Sequence, residues 1–147
     1  VGLRRLITTE APAAVVLVRL IVGAVFLSEG IQKFVFPAAL GAGRFARIGL
    51  PSPELLAPFV GSFELVCGLL VLLGLLTRLA AVPLIVIMLT ALATTKVPIL
   101  VGRGFWAMAH EARTDWSMLL AAVFLLIVGG GAWSCDALLS RHRRRDD

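Results

Sequence analysis

The sequence predicts an all-α protein, an integral membrane four-helix bundle with two interfacial amphipathic loop segments. Three observations predict it. Of 147 residues, 59% are hydrophobic and 16% are charged, where a soluble domain carries about a quarter charged residues. The apolar residues gather in four long runs, each near the roughly 20 residues that a helix needs to cross a hydrocarbon layer about 30 Å thick. Basic residues collect outside those runs, as they do where positive loops stay on the cytoplasmic side. The chain, 1–147, reads as one membrane domain with spans at about 12–36, 54–76, 79–95 and 115–135 and a basic tail at 140–147.

The first span opens on Thr9-Glu10-Ala11-Pro12, a capping residue and then a proline suited to a first helical turn. Its apolar run from Ala11 to Phe36 is too long for the core of a cleavable signal peptide, so a retained span is expected. Pro37 and Gly41 break it, and Ala38 to Pro53 reads as an interfacial loop with a short helical piece around Arg44, Phe45 and Arg47. Ser52-Pro53-Glu54 starts the second span with a hydroxyl cap, a proline and an acid. Thr77-Arg78 is a tight turn into the third span, a connection short enough to force antiparallel neighbours. Pro98 is expected just beyond that span. Residues 99 to 113 then form the second amphipathic segment, with Phe105, Trp106 and Met108 among Arg103, His110, Glu111 and Arg113. Tryptophans at 116 and 133 bracket the fourth span. The sequence holds no internal repeat and no low-complexity segment.

With both termini and the 77–78 turn on the cytoplasmic side, that side holds Arg4, Arg5, Arg78, Arg141, Arg143, Arg144 and Arg145. The longer loops hold Arg44, Arg47, Lys96, Arg103 and Arg113, so a bacterial inner membrane with both ends inside is expected. An isoelectric point near 10.6 does not make this a nucleic-acid binder, because no aromatic residues interleave with the tail arginines. Anionic lipid headgroups suit them better. Cys67 and Cys135 form no Cys-x-x-Cys and read as packing residues. His110, in a loop, and His142, in the tail, are not placed to ligate a membrane haem. No metal and no intrinsic redox centre are expected.

Charge inside a span costs roughly 2.5–3.5 kcal/mol per residue, so each case needs a reason. Arg19, Glu29 and Lys33 fall on one face of the first span at 100° per residue, with Gly23 and Gly30 beside them to admit a second helix. Glu29 and Lys33 stand i,i+4 with the acid first, the better order for a helical ion pair. Glu64, between Gly61 and Gly68, comes from the second span at a similar depth, and Asp115 with nearby His110 is expected on the same side. Glu29, Lys33, Glu64, His110 and Asp115 therefore make a candidate ligand-binding cluster. Two carboxylates at one depth repel unless a proton, a cation or a polar ligand is shared. At the other end Arg19 is expected to pair with Asp136 as a structural ion pair, since a guanidinium in lipid needs a carboxylate or backbone carbonyls.

These motifs together resemble the DoxX family of small bacterial membrane proteins. The carrying residues are Arg19-x-x-x-Gly23-x-x-Phe26-x-x-x-Gly30-x-x-Lys33, Phe45-x-x-x-Gly49-x-Pro51 and Glu64-x-x-x-Gly68-Leu69-Leu70 with Gly74 and Thr77-Arg78. Gly129 to Leu139 is similar to the family's Gly-Pro-Gly-Arg-Tyr-Ser-Leu-Asp ending, with Gly130 in place of its frequent proline and Ala132 in place of its frequent base. The resemblance implies a four-helix membrane bundle. It also implies membership of membrane oxidoreductase assemblies, such as a thiosulfate-to-quinone oxidoreductase or a complex with superoxide dismutase and a sulfurtransferase. Three readings follow: a quinone-facing or partner-docking subunit of a respiratory or redox-stress complex, not catalytic alone; a small-solute or proton pathway; and a purely structural accessory subunit. Other membrane or peripheral redox proteins are the expected partners in the first, with quinone as the expected cofactor.

Overall fold

The computed structural model describes residues 7–146, and every regular element among them is helical. Three stretches are long and apolar enough to cross a membrane: Val15–Val35, Pro53–Leu73 and Thr77–Arg103. At 1.5 Å per residue they measure about 31, 31 and 40 Å. The first two are α1 (Val15–Val35) and α3 (Pro53–Leu73), and a short helix, α2 (Ala42–Arg47), lies between them. The third is composite: α4 (Thr77–Ala91), a π-helical turn (Leu92–Lys96) and α5 (Val97–Arg103). Then come α6 (Phe105–Val128) and α7 (Cys135–Asp146).

The helices pack as two pairs. α1 lies along α3, and α6 along α4, with α3 against α4 joining the pairs. Close approach of α1 and α3 rests on missing side chains: a Cβ on Gly30 would sit 2.8 Å from the Gly61 carbonyl oxygen, and one on Gly68 2.8 Å from the Leu27 nitrogen. Val22, Phe26, Val71, Leu84 and Leu125, each at most 2% exposed, fill the space between the pairs. Leu17, Ile21, Val66, Val86 and Ile127 point outward and stay exposed, as a surface meant for lipid does. The end where α1 begins and α3 finishes also carries α7, and is called here the tail end.

Several expectations are corrected. The third span does not stop before Pro98. A proline cannot donate to the carbonyl four residues back, and the turn preceding it widens so that the Val97 amide reaches the Leu92 carbonyl. The helix then passes through Pro98 to Arg103. The amphipathic loop expected over 99–113 is accordingly helix on both sides of one reversing residue, Gly104 at φ 87°. α6 starts ten residues earlier than the expected 115. It ends at Val128 rather than 135, because residues 129–134 leave the helix, with Gly129 and Gly131 at positive φ. Ser52 does not cap α3 with its hydroxyl. Thr9 does not cap α1 either; its hydroxyl donates to the Val128 carbonyl and accepts from the amides of Ala11 and Gly131. Arg4, Arg5 and Asp147 lie outside the described residues.

Candidate functional site

Side chains on a helix lean toward its N-terminus. On α1 that direction is the tail end, and on the antiparallel α3 it is the far end. Lys33 therefore reaches down as Glu64 reaches up, and the two meet between the helices with Nζ and Oε2 2.7 Å apart. Glu64 is 3% exposed. Oε2 finds no well-directed hydrogen bond, so its contact with Lys33 is chiefly coulombic. Glu29 lies 3.8 Å from the same ammonium at the surface of the bundle, its side chain 44% exposed against 10% for Lys33. One ammonium thus serves two carboxylates, one enclosed and one at the rim. Arg44, on α2 against α3, adds the smallest of the charge influences on Glu64, after Lys33 and Glu29.

The other two members of the expected cluster fall elsewhere. Asp115 pairs with Lys96, 3.2 Å away, joining α6 to the π-helical turn. His110 is exposed, and its carbonyl accepts a hydrogen bond from Arg113. The reason is the early start of α6, which places both residues on a helix packed along α4 and α5. Among the described residues, no three His, Cys, Asp or Glu side chains are grouped to hold a metal.

At the tail end, no ion pair joins Arg19 and Asp136 among the described residues, and that expectation is corrected. Arg19, 3% exposed, gives its donors to four carbonyls: Nε to Val71 at 2.9 Å, one terminal nitrogen to Gly130 at 3.2 Å and to Trp133, and the other to Leu72. Val71 and Leu72 belong to the last turn of α3, where carbonyls lack helical partners and the helix dipole favours a cation. Asp136, 1% exposed, does the converse for α4. Its carboxylate accepts from the amides of Leu76 at 2.7 Å and Thr77 at 3.0 Å, donors that open a helix unpaired. The two charges thus cap the α3–α4 turn from opposite sides. Gly74 sits at its centre at φ 67°, where a Cβ would be 2.6 Å from the Arg19 Cζ.

Residues 14–97 match the DoxX family. Over 144 residues, 94% of this chain and 88% of the relative, the sequence is 55% identical to the uncharacterized membrane protein Rv3486 of Mycobacterium tuberculosis. The chain belongs to the DoxX family. It is also 28% identical over 129 residues to the protein named "Putative oxidoreductase CatD" in Bacillus subtilis, covering 87% of this chain and 88% of that one. No solved structure matches it.

The DoxX match spans α1 to the start of α5 and so includes Arg19, Glu29, Lys33, Arg44 and Glu64. Three participants were missed in the sequence. Arg44 and Lys96 read in the sequence only as loop charges, although the apolar run ahead of Lys96 holds no helix breaker after Pro83. Arg78 was read as a turn residue, yet its guanidinium bonds to the carbonyls of Thr8 and Ile127, tying the N-terminal segment to the end of α6.

Proposed function

We propose that this DoxX chain is a membrane subunit of an oxidoreductase assembly, and that Glu29, Lys33 and Glu64 form its quinone-facing or partner-docking site. The observation that carries the reading is one ammonium shared by an enclosed carboxylate and a lipid-edge carboxylate. An ammonium has three donors, and with Glu29 3.8 Å away, beyond hydrogen-bond reach, at least one is open to a carbonyl oxygen. Glu29, half open to lipid, stands where the hydroxyl of a reduced quinone would need an acceptor. A headgroup arriving sideways from the bilayer meets both at once. The oxidoreductase in the name of the Bacillus relative supports the same reading. Electrons would come from a partner subunit.

A proton or solute path is the weaker reading. Among the described residues, the interior between the outer cluster and the tail end is Val22, Phe26, Val71, Leu84 and Leu125, which offers no polar relay.

Glu64→Gln tests the site. Lys33 keeps Glu29 as partner in this variant, so its melting in detergent should move little while quinone retained on purification falls severalfold. Unchanged quinone content and unchanged partner recovery would reduce the cluster to packing. Loss of partners from a folded bundle would make it a docking surface.

The same proposal includes α6 as a fourth span, with both termini cytoplasmic. Its apolar half, Trp116 to Val128, follows Glu111, Arg113 and Asp115. Reporters fused after Asp147 and at Thr77 should read cytoplasmic, and those at Arg47 and Gly102 external. An external signal from the C-terminal fusion contradicts the arrangement.

A further inference from the structure

We propose that α7 and the residues around it form a binding site for anionic phospholipid in the leaflet at the tail end. Three features on different parts of the chain converge there.

The first is anchorage. Asp136 bonds through its carboxylate to Leu76 and Thr77, and its amide donates to the Gly74 carbonyl at 2.9 Å. Ser134 caps the helix by accepting from the Ala137 amide. The first turn of α7 is therefore fixed to the turn between two membrane-length helices, at the level where their apolar surface stops. Arg141 follows Asp136 by five residues, about 7.5 Å along a helix, inside the roughly 8–10 Å over which charge is felt at physiological salt.

The second is the pairing of greasy and basic surface. Trp133, Leu138 and Leu139 are 72%, 65% and 47% exposed. Arg141 is exposed on the same helix, and the sequence continues it with Arg143, Arg144 and Arg145. The segments flanking the spans at this end carry seven basic and four acidic residues. Aromatic and aliphatic side chains set beside arginines match a phosphate bearing acyl chains; an acidic soluble partner has no use for the apolar part.

The third is a cavity of about 280 Å³ between the N-terminal segment and α7, lined among others by Thr9, Glu10, Ala132, Ser140 and Arg141. That is near the low end of ligand-sized clefts, roughly 300–1,000 Å³, and among the described residues Arg141 is the arginine on its lining. Ala132 contributes no charge to the wall, so among the described residues Arg141 supplies the cation there. Glu10 is the single acid on the lining, and it disfavours a second phosphate.

The full chain with Trp106→Phe and Trp116→Phe keeps Trp133 as its one fluorophore of this kind. In phosphatidylcholine vesicles, brominated phosphatidylglycerol should quench Trp133 more than the same fraction of brominated phosphatidylcholine. Each arginine at the surface should contribute about fivefold to the preference. Replacing Arg141, Arg143, Arg144 and Arg145 by glutamine should abolish it, and so should raising salt to about 0.5 M in the unaltered tail. The salt titration decides the matter even where the fourfold variant fails to fold. Equal quenching by the two lipids, or a preference that survives both treatments, overturns the site and leaves the arginines to an acidic protein partner.

Discussion

Lys33→Met should cost about 3–5 kcal/mol of bundle stability, because it removes the counter-charge from a carboxylate that cannot reach water. Glu64 is 3% exposed and meets Lys33 at 2.7 Å, while Glu29 at the rim can be solvated or snorkel. The loss should be mostly recovered by adding Glu64→Gln, which leaves a neutral amide beside a methionine. Glu29→Gln in the same background should recover little. The measurement is denaturant or thermal unfolding in one detergent for the four members of each double-mutant cycle. A coupling of about 2 kcal/mol or more for Lys33 with Glu64, and well under 1 kcal/mol for Lys33 with Glu29, is expected for neighbours of such different burial. If the Lys33 and Glu64 effects simply add, the contact is incidental and the proposed site loses its organising charge. The cycle also separates structure from function: a double variant that is stable yet retains no quinone assigns the charges to ligand binding.

The face of α1 that carries Arg19, Glu29 and Lys33 was legible because a charge inside an apolar run is costly and helical periodicity leaves it few orientations. Glu64 was legible as their partner for the same reason, helped by Gly61 and Gly68 marking a close-packed surface. Counting depth along the sequence with residues 99–113 as loop places Asp115 and His110 beside that cluster. One π-helical turn defeats the count. It lets the helix absorb Pro98, moves the reversal to Gly104, and turns Lys96 from a loop charge into the partner of Asp115. Widened turns carry no side-chain signature beyond the proline, so a pattern of hydrophobicity cannot register them. The Arg19–Asp136 pairing failed for a different reason. Sequence shows side-chain charges and hides the orphan carbonyls and amides at helix ends, which in an apolar surrounding also compete for an ion. Both residues are buried; what they hold is the backbone of one turn.

Arg19→Met should therefore be at least as damaging as Lys33→Met, about 4 kcal/mol or more, and not repairable by removing the acid. Methionine keeps the apolar stem but withdraws the donors from Val71, Leu72, Gly130 and Trp133. A buried acceptor left without a donor costs about 1–3 kcal/mol, with some of the loss recovered where a second hydrogen bond remains. Val71 keeps one, since it also accepts from the Gly74 amide. Arg19→Lys should recover less than half of the loss, because a point ammonium cannot span four acceptors as a planar fork does. Asp136→Asn, which preserves one carbonyl acceptor for the Leu76 and Thr77 amides, should cost a milder 1–2 kcal/mol, roughly the value of a helix cap. The combination Arg19→Met with Asp136→Asn is the decisive sample. Were the two charges paired, neutralising the aspartate would relieve the arginine variant. With each holding its own side of the α3–α4 turn, the double variant should be no more stable than Arg19→Met alone, and its unfolding midpoint should lie below both singles. A double variant that melts above Arg19→Met would restore the ion pair and refute the carbonyl account of Arg19.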